Sequence, residues 1–158
     1  MSDRVYSKNQ KGSTVAEFAV VAGLFFMIIF GIIEFGRLLY THNALTDAAR
    51  RGARYAVLHP ENAPCVQNVV IYGETNINPV TCAPTGSPLI NGLTTANVVV
   101  QYEGAAPSAY GMNLGTATVT IQSYTFSLSI PFFRQVLTMP AYRTTLTAES
   151  AGVIPPDI

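Results

Sequence analysis

Gly12 to Leu58 reads GSTVAEFAVVAGLFFMIIFGIIEFGRLLYTHNALTDAARRGARYAVL. No proline interrupts it, and from Thr14 to about Leu58 it reads as one long helix. At 1.5 Å per residue such a helix reaches roughly 65 Å. Phe18 to Ile33 (FAVVAGLFFMIIFGII) holds no polar side chain. With Val15 and Ala16 the run approaches the ~20 residues that cross a ~30 Å hydrocarbon layer. The second half is amphipathic. Ala44, Ala48, Gly52 and Ala56 recur every fourth residue, with Leu45, Ala49 and Ala53 in the adjacent row. Asp47, Arg50, Arg51 and Arg54 take the other side. Small residues at this spacing let another backbone come close. Two seats fit the stripe, the protein's own exported domain and a neighbouring subunit, and the first is the expectation.

Before the apolar run lies a short basic leader with Arg4, Lys8 and Lys11, ending in Gly12. Residues 1–12 are expected to be disordered or cleaved. Five residues past Gly12 stands Glu17. A charge at the centre of a membrane helix costs roughly 2.5–3.5 kcal/mol by insertion scales. A carboxylate at the mouth of the run therefore calls for a reason. An ordinary secretory signal has a shorter apolar core that ends at an A-x-A-like site. This run ends in Glu34-Phe35-Gly36-Arg37, which offers none. A plain signal anchor explains the run but neither Gly12 nor Glu17. A snorkelling residue at the cytoplasmic interface is the simplest alternative for Glu17. The basic residues precede the span, so the positive-inside rule keeps the N-terminus in the cytoplasm and places all beyond Ile33 outside it.

The full chain has 158 residues and a formal net charge of zero, so nothing points to nucleic-acid binding over the whole surface. Without residues 1–12 it carries six basic and eight acidic residues. Charged residues are only 11% of the sequence, but the apolar excess is local to the stem. Cys65 and Cys82 fall in the exported part, where disulfides persist, and one bridge is the simplest reading. Its loop-closure benefit is about 3 kcal/mol. The alternative is two unpaired thiols.

His59-Pro60-Glu61-Asn62-Ala63-Pro64 ends the long helix, because proline cannot continue one. Cys65 to Tyr72 (CVQNVVIY) fits a short helix ending at Gly73, or a short strand. Glu74 to Gly92 reads as a loop tethered by Cys82, and Gly104 to Gly115 as a mobile one. Three β-type runs follow: Asn97 to Glu103, Ala117 to Ser129 and Tyr142 to Glu149. The alternation of the second slips near Ser123, which predicts a bulge or a strand bend. Pro131 to Leu137 (PFFRQVL) reads as a turn or short helix. The expected fold is α+β: a long N-terminal helix, half membrane stem and half amphipathic, packed on a small antiparallel sheet of about three strands. The organisation is a leader over 1–12, a stem over 13–37, the amphipathic continuation over 38–58 and an extracytoplasmic β-rich domain over 59–158.

Basic leader, Gly12, Glu17 and apolar stem together resemble type IV prepilins and their pseudopilin relatives. Glu34-Phe35-Gly36-Arg37-Leu38-Leu39-Tyr40 and Asn43 to Ala56 (NALTDAARRGARYA) narrow the likeness. This block is similar to that of the TadE-like pseudopilins of the tight-adherence, or Flp-type, pilus, over about residues 12–58. The chain departs from the major pilins of that system, which are very short and often show Glu-Tyr. Here Glu17-Phe18 precedes a substantial exported domain, which points to the minor class.

The resemblance implies a minor pilin needed for pilus biogenesis, adhesion and biofilm formation, residing in the inner membrane and reaching the pilus or cell surface. It implies cleavage between Gly12 and Ser13 by a prepilin peptidase. It further implies that Glu17 offers its carboxylate to the new amine of Ser13 on a neighbouring subunit. Implied partners are the bilayer, the peptidase, other pilins or pseudopilins and the inner-membrane assembly platform. Ala19 and Gly23, four apart, could let stems pack closely, as could Gly31, or be ordinary small residues of a membrane helix. Glu34 and Arg37, three apart, could pair at the outer interface for tenths of a kcal/mol if exposed.

No enzyme is expected. His42 and His59 are seventeen residues apart without a carboxylate at ligand spacing, no CxxC is present, and neither a Gly-x-Ser-x-Gly elbow nor a glycine-rich phosphate loop occurs. No metal or cofactor is implied. Arg50, Arg51 and Arg54 could touch lipid phosphates or acidic partners, or form a solvated face. Two other readings stand beside the minor pilin: a filament subunit that polymerises on its own, and an uncleaved, single-pass anchored binding protein.

Overall fold

The computed structural model describes residues 11–59, 63–103, 116–131 and 133–147. Helix α1 spans Lys11–Leu58, 48 residues without a break. It begins a turn earlier than the composition suggested and stops where Pro60 follows. Helix α2 spans Ala63–Tyr72. The short helix is thus realised, and Gly73 closes it at φ 82°, its N–H donating to the Val69 carbonyl at 2.9 Å. A side chain rarely adopts that φ, which is why the helix stops at this glycine.

Strand β1 is Val98–Glu103, β2 Thr116–Ile121, β3 Thr125–Ile130, β4 Phe133–Thr138 and β5 Tyr142–Thr147. An antiparallel sheet of order β1-β2-β5 carries the domain, as the sequence led one to expect. Its registers run Val98↔Ile121 to Glu103↔Thr116, and Thr116↔Thr147 to Ile121↔Tyr142. Two features differ from that expectation. The run 117–129 is two strands in different sheets: Ser123, at φ 56°, turns the chain out of β2 and into β3. The slip in alternation therefore marks a change of sheet and not a bulge. The segment 131–137 is neither turn nor helix over most of its length, since β4 pairs with β3 in a separate two-stranded hairpin from Thr125↔Thr138 to Ile130↔Phe133. The Met139 N–H donates to the Tyr124 carbonyl at 2.8 Å and closes the hairpin's base.

The core lies between the C-terminal half of α1, helix α2 and the three-stranded sheet. Leu45, Ala48, Ala49, Gly52, Ala53 and Ala56 are buried there. From α2 come Val66, Val69 and Val70, and from the sheet Val98, Ala117, Val119 and Ile121. The small-residue stripe of α1 is thus the seat of the protein's own domain. Gly52 shows why it must be small: a Cβ there would overlap Val70 and lie 3.4 Å from Val119. Thr118, though polar, is buried with its hydroxyl 2.8 Å from that of Thr145 across the strand pair. Cys65 and Cys82 form the disulfide, pinning α2 to the loop that follows it. The leader up to residue 10 and the loop 104–115 lie outside the described residues.

Candidate membrane and assembly surface

Helix α1 presents two surfaces. From Gly12 to Ile33 its side chains are exposed, with Ala22, Ile29 and Gly31 half-covered. Val15, Phe18, Val20 and Ile32 each expose more than 65% of their area. Water does not tolerate a continuous apolar surface of this extent, whereas a bilayer does. The helix is long and apolar enough to cross a membrane, and the domain covers almost none of that window.

At the foot of the stem, Gly12 and Ser13 lie in the first turn, exposed. The Ser13 hydroxyl donates to Glu17 Oε1 at 3.1 Å, so Glu17 folds back on its own helix start. Glu17 is exposed, next to Phe18 at 73% exposure, and Ala19 is exposed one residue further on. A Cβ at Gly12, Gly23, Gly31 or Gly36 would meet nothing within 4 Å. Nothing within this chain's own packing demands glycine at those four positions, in contrast to Gly52.

At the head of the stem, Arg37 Nη1 donates to Glu34 Oε1 at 2.6 Å. The sequence suggested the pair but not its setting. Glu34 is only 6% exposed, whereas the Arg37 side chain is half exposed. Glu34 Oε2 is buried without a hydrogen-bond partner. The Arg37 guanidinium also lies over the Phe126 ring, 5.4 Å from its centroid, which offsets part of the cost of holding the charge there. Strand β3 brings Phe126 to this part of the helix. No local pattern around Glu34 reveals it, since Phe126 comes from a distant part of the chain.

Above this pair a groove of about 400 Å³ runs between α1 and the domain. Arg37, Tyr40, Thr41 and Ala44 form one wall, Leu89 to Gly92 a second, and Tyr124 to Ser127 the third. The Tyr124 hydroxyl donates to the Asn91 carbonyl at 2.7 Å, and burial raises its pKa above the ordinary phenol value against an opposing pull from Arg37. Tyr142 places its hydroxyl 2.8 Å from His42 Nδ1, and burial raises its pKa too. His42 is thus taken up in a contact with the domain, and His59 stacks on Tyr55 with ring centroids 4.0 Å apart. Further along the helix Arg51 pairs with Asp47 at 3.2 Å, while Arg50 and Arg54 are exposed. Among the described residues no group of three or more His, Cys, Asp or Glu converges as a metal site would.

Residues 12–54 match the family model described as TadE-like protein, the same block whose motifs carry the resemblance. No curated protein and no solved structure matches the chain.

Proposed function

We propose, with the TadE-like match of residues 12–54 as premise, that this chain is a minor pilin or pseudopilin of a tight-adherence pilus: a membrane-anchored structural subunit without catalytic activity. The observation that carries the reading is the stem. It is uncovered by its own domain and has a carboxylate and a serine paired at its foot. In this reading residues 1–12 face the cytoplasm, and a prepilin peptidase cuts between Gly12 and Ser13. Gly12 suits a subsite that admits no side chain. Cleavage turns Ser13 into a primary amine one helical turn from Glu17. Glu17 then has two amines within its chemistry, its own and that of an adjacent stem. A buried pair of this kind contributes register more reliably than stability. Phe18, Ala19 and Gly23 form the apolar and small-residue surface on which stems would meet. Other pilins and the inner-membrane assembly platform are the partners this role requires, and adhesion and biofilm formation are its cellular outcome.

The test is the intact mass of membrane-extracted protein, produced with and without the cognate prepilin peptidase. A chain that begins at Ser13 only when the peptidase is present supports the reading. A chain that keeps residues 1–12 in both cases sinks it and leaves a plain anchored binding protein, for which Glu17→Ala would be silent.

A further inference from the structure

The β3–β4 hairpin joins the core through Phe126, with Leu128 packed beside it, but it stands apart from the three-stranded sheet. Tyr142 sits at His42 and Val119 at Gly52, so β2 and β5 lie over the C-terminal half of α1. Strand β3 touches α1 elsewhere. Its start lines the groove with Thr41 and Ala44, and Phe126 lies at Arg37. From there the strand continues toward the stem. Glu34 is buried and Leu38 on the same helix face is half-buried, as a cover reaching past Arg37 requires. Four residues of strand, Phe126 to Ile130, advance about 13 Å. The four helical residues from Arg37 back to Ile33 advance only about 6 Å. The end of the hairpin therefore reaches the level of the last apolar turns of the stem.

The chemistry of that end suits lipid. Ile130 pairs with Phe133, and exposed Pro131 follows Ile130. Among the described residues outside α1, the exposed large hydrophobics are Val80, Leu89, Val136 and Leu137, and two of these four lie on β4. Between Glu103 and Glu149 the sequence has no acidic residue, and its charges are Arg134 and Arg143. Arg134 lies on the hairpin opposite Ser129, so the only ionised group the hairpin brings to the membrane has the sign that phosphates attract. The exposed rings of Phe35 and Tyr40 on α1 bracket the same level, as an aromatic belt does.

We propose that the β3–β4 hairpin is a second lipid contact: its end at Ile130 and Pro131 enters the bilayer interface at the C-terminal end of the span, beside α1, with Arg134 at the phosphates. This rests on α1 crossing the membrane. The hairpin then fixes the height and tilt of the domain against the bilayer, and it must be withdrawn from lipid whenever the stem leaves.

The chain contains no tryptophan, so a single introduced one reports its own position. Ile130→Trp in the full chain would be reconstituted into phosphatidylcholine–phosphatidylglycerol vesicles with and without brominated acyl chains. Phe25→Trp marks the span and Val80→Trp the far loop. The expected result is strong quenching at position 25, none at 80, and at 130 a blue-shifted emission quenched roughly half as strongly as at 25, as for an interfacial group. Ser129→Trp, on an exposed position of the same strand, repeats the reading without touching the helix-facing side. Quenching at 25 with none at 129 and 130 overturns the proposal while leaving the anchor intact, and gives the hairpin to protein or water. No quenching at 25 removes the anchor and the proposal together.

Discussion

The two ends of α1 use similar residues for opposite purposes. Around Gly23 and Gly31 the helix is apolar, yet a Cβ at either glycine would meet nothing. Around Gly52 the buried face is made of small residues, and a Cβ would collide with Val70. Charge and periodicity separate the two regions: residues 18–33 are apolar all round, whereas beyond Thr41 the apolar positions fall on one stripe with Asp47, Arg50 and Arg54 opposite. The first pattern leaves every face available to lipid or a neighbouring stem. The second commits one face to the sheet. The molecule is a single helix asked to be soluble in two solvents, and the domain covers only the half that faces water.

Opening the disulfide should separate the halves most sharply. Cys65 and Cys82 are 17 residues apart, and closing such a loop stabilises the folded state by about 3 kcal/mol. Cys65→Ser with Cys82→Ser should lower the melting temperature of the domain in detergent micelles. The far-UV signal of the stem should survive, since no contact of the stem depends on that loop. Simultaneous loss of both would mean that the halves fold as one unit.

Glycine substitution tests the same contrast residue by residue. Gly52→Ala should cost about 1–3 kcal/mol, because the stiff Val70 side chain of α2 must give way. Gly23→Ala should leave domain stability unchanged and could even raise helicity, since alanine is the better helix former by roughly 1 kcal/mol. Equal costs at the two sites would show that a face of the stem is packed within the monomer. A Gly23→Ala defect in piliation without a defect in the melt would place a neighbouring stem there.

Glu34 stands at the border. Replacing it with glutamine removes the charge but keeps the shape, and leaves half-exposed Arg37 able to reach solvent. The expected loss is about 1 kcal/mol, since one partner of the pair is still wet. A double-mutant cycle with Arg37→Met measures the coupling. A coupling near zero would mean that burial, and not the ion pair, fixes Glu34.

Much of this was legible beforehand because it is local. The unbroken helix follows from the absence of proline, α2 from its spacing and Gly73, and the stripe from its four-residue repeat. The hairpin was not legible. PFFRQVL lacks the alternation of a half-buried strand, because β4 hangs beyond the helix with Val136 on one face and Leu137 on the other, both exposed. Its partner β3 was hidden inside a longer β-type run, with only the slip at Ser123 to mark the turn. The burial of Glu34 was invisible for the same reason: its cover is non-local. Gly12, Glu17 and the cysteines were read from position and type, and the structure adds the Ser13–Glu17 bond and the closed disulfide.

The smallest contrast is in alkaline titration. Burial raises the pKa of Tyr102, Tyr124 and Tyr142, all in the domain. In the unfolded chain their phenols ionise near pH 10. The folded domain holds those protons to higher pH, so it binds more protons than the unfolded chain above that point, and stability falls as pH rises. The contribution of these tyrosines is therefore complete below about pH 10 and is lost progressively above it. Tyr102 is the residue to test first, because its hydroxyl is buried without a hydrogen-bond partner. Tyr102→Phe keeps the ring and removes the titrating group. It should flatten the decline of the domain's melting temperature above pH 10 and leave the stem's helicity unchanged at every pH. A decline as steep as that of the parent would transfer the effect to Tyr142 and to Tyr124, whose hydroxyl gives up its bond to the Asn91 carbonyl when it ionises.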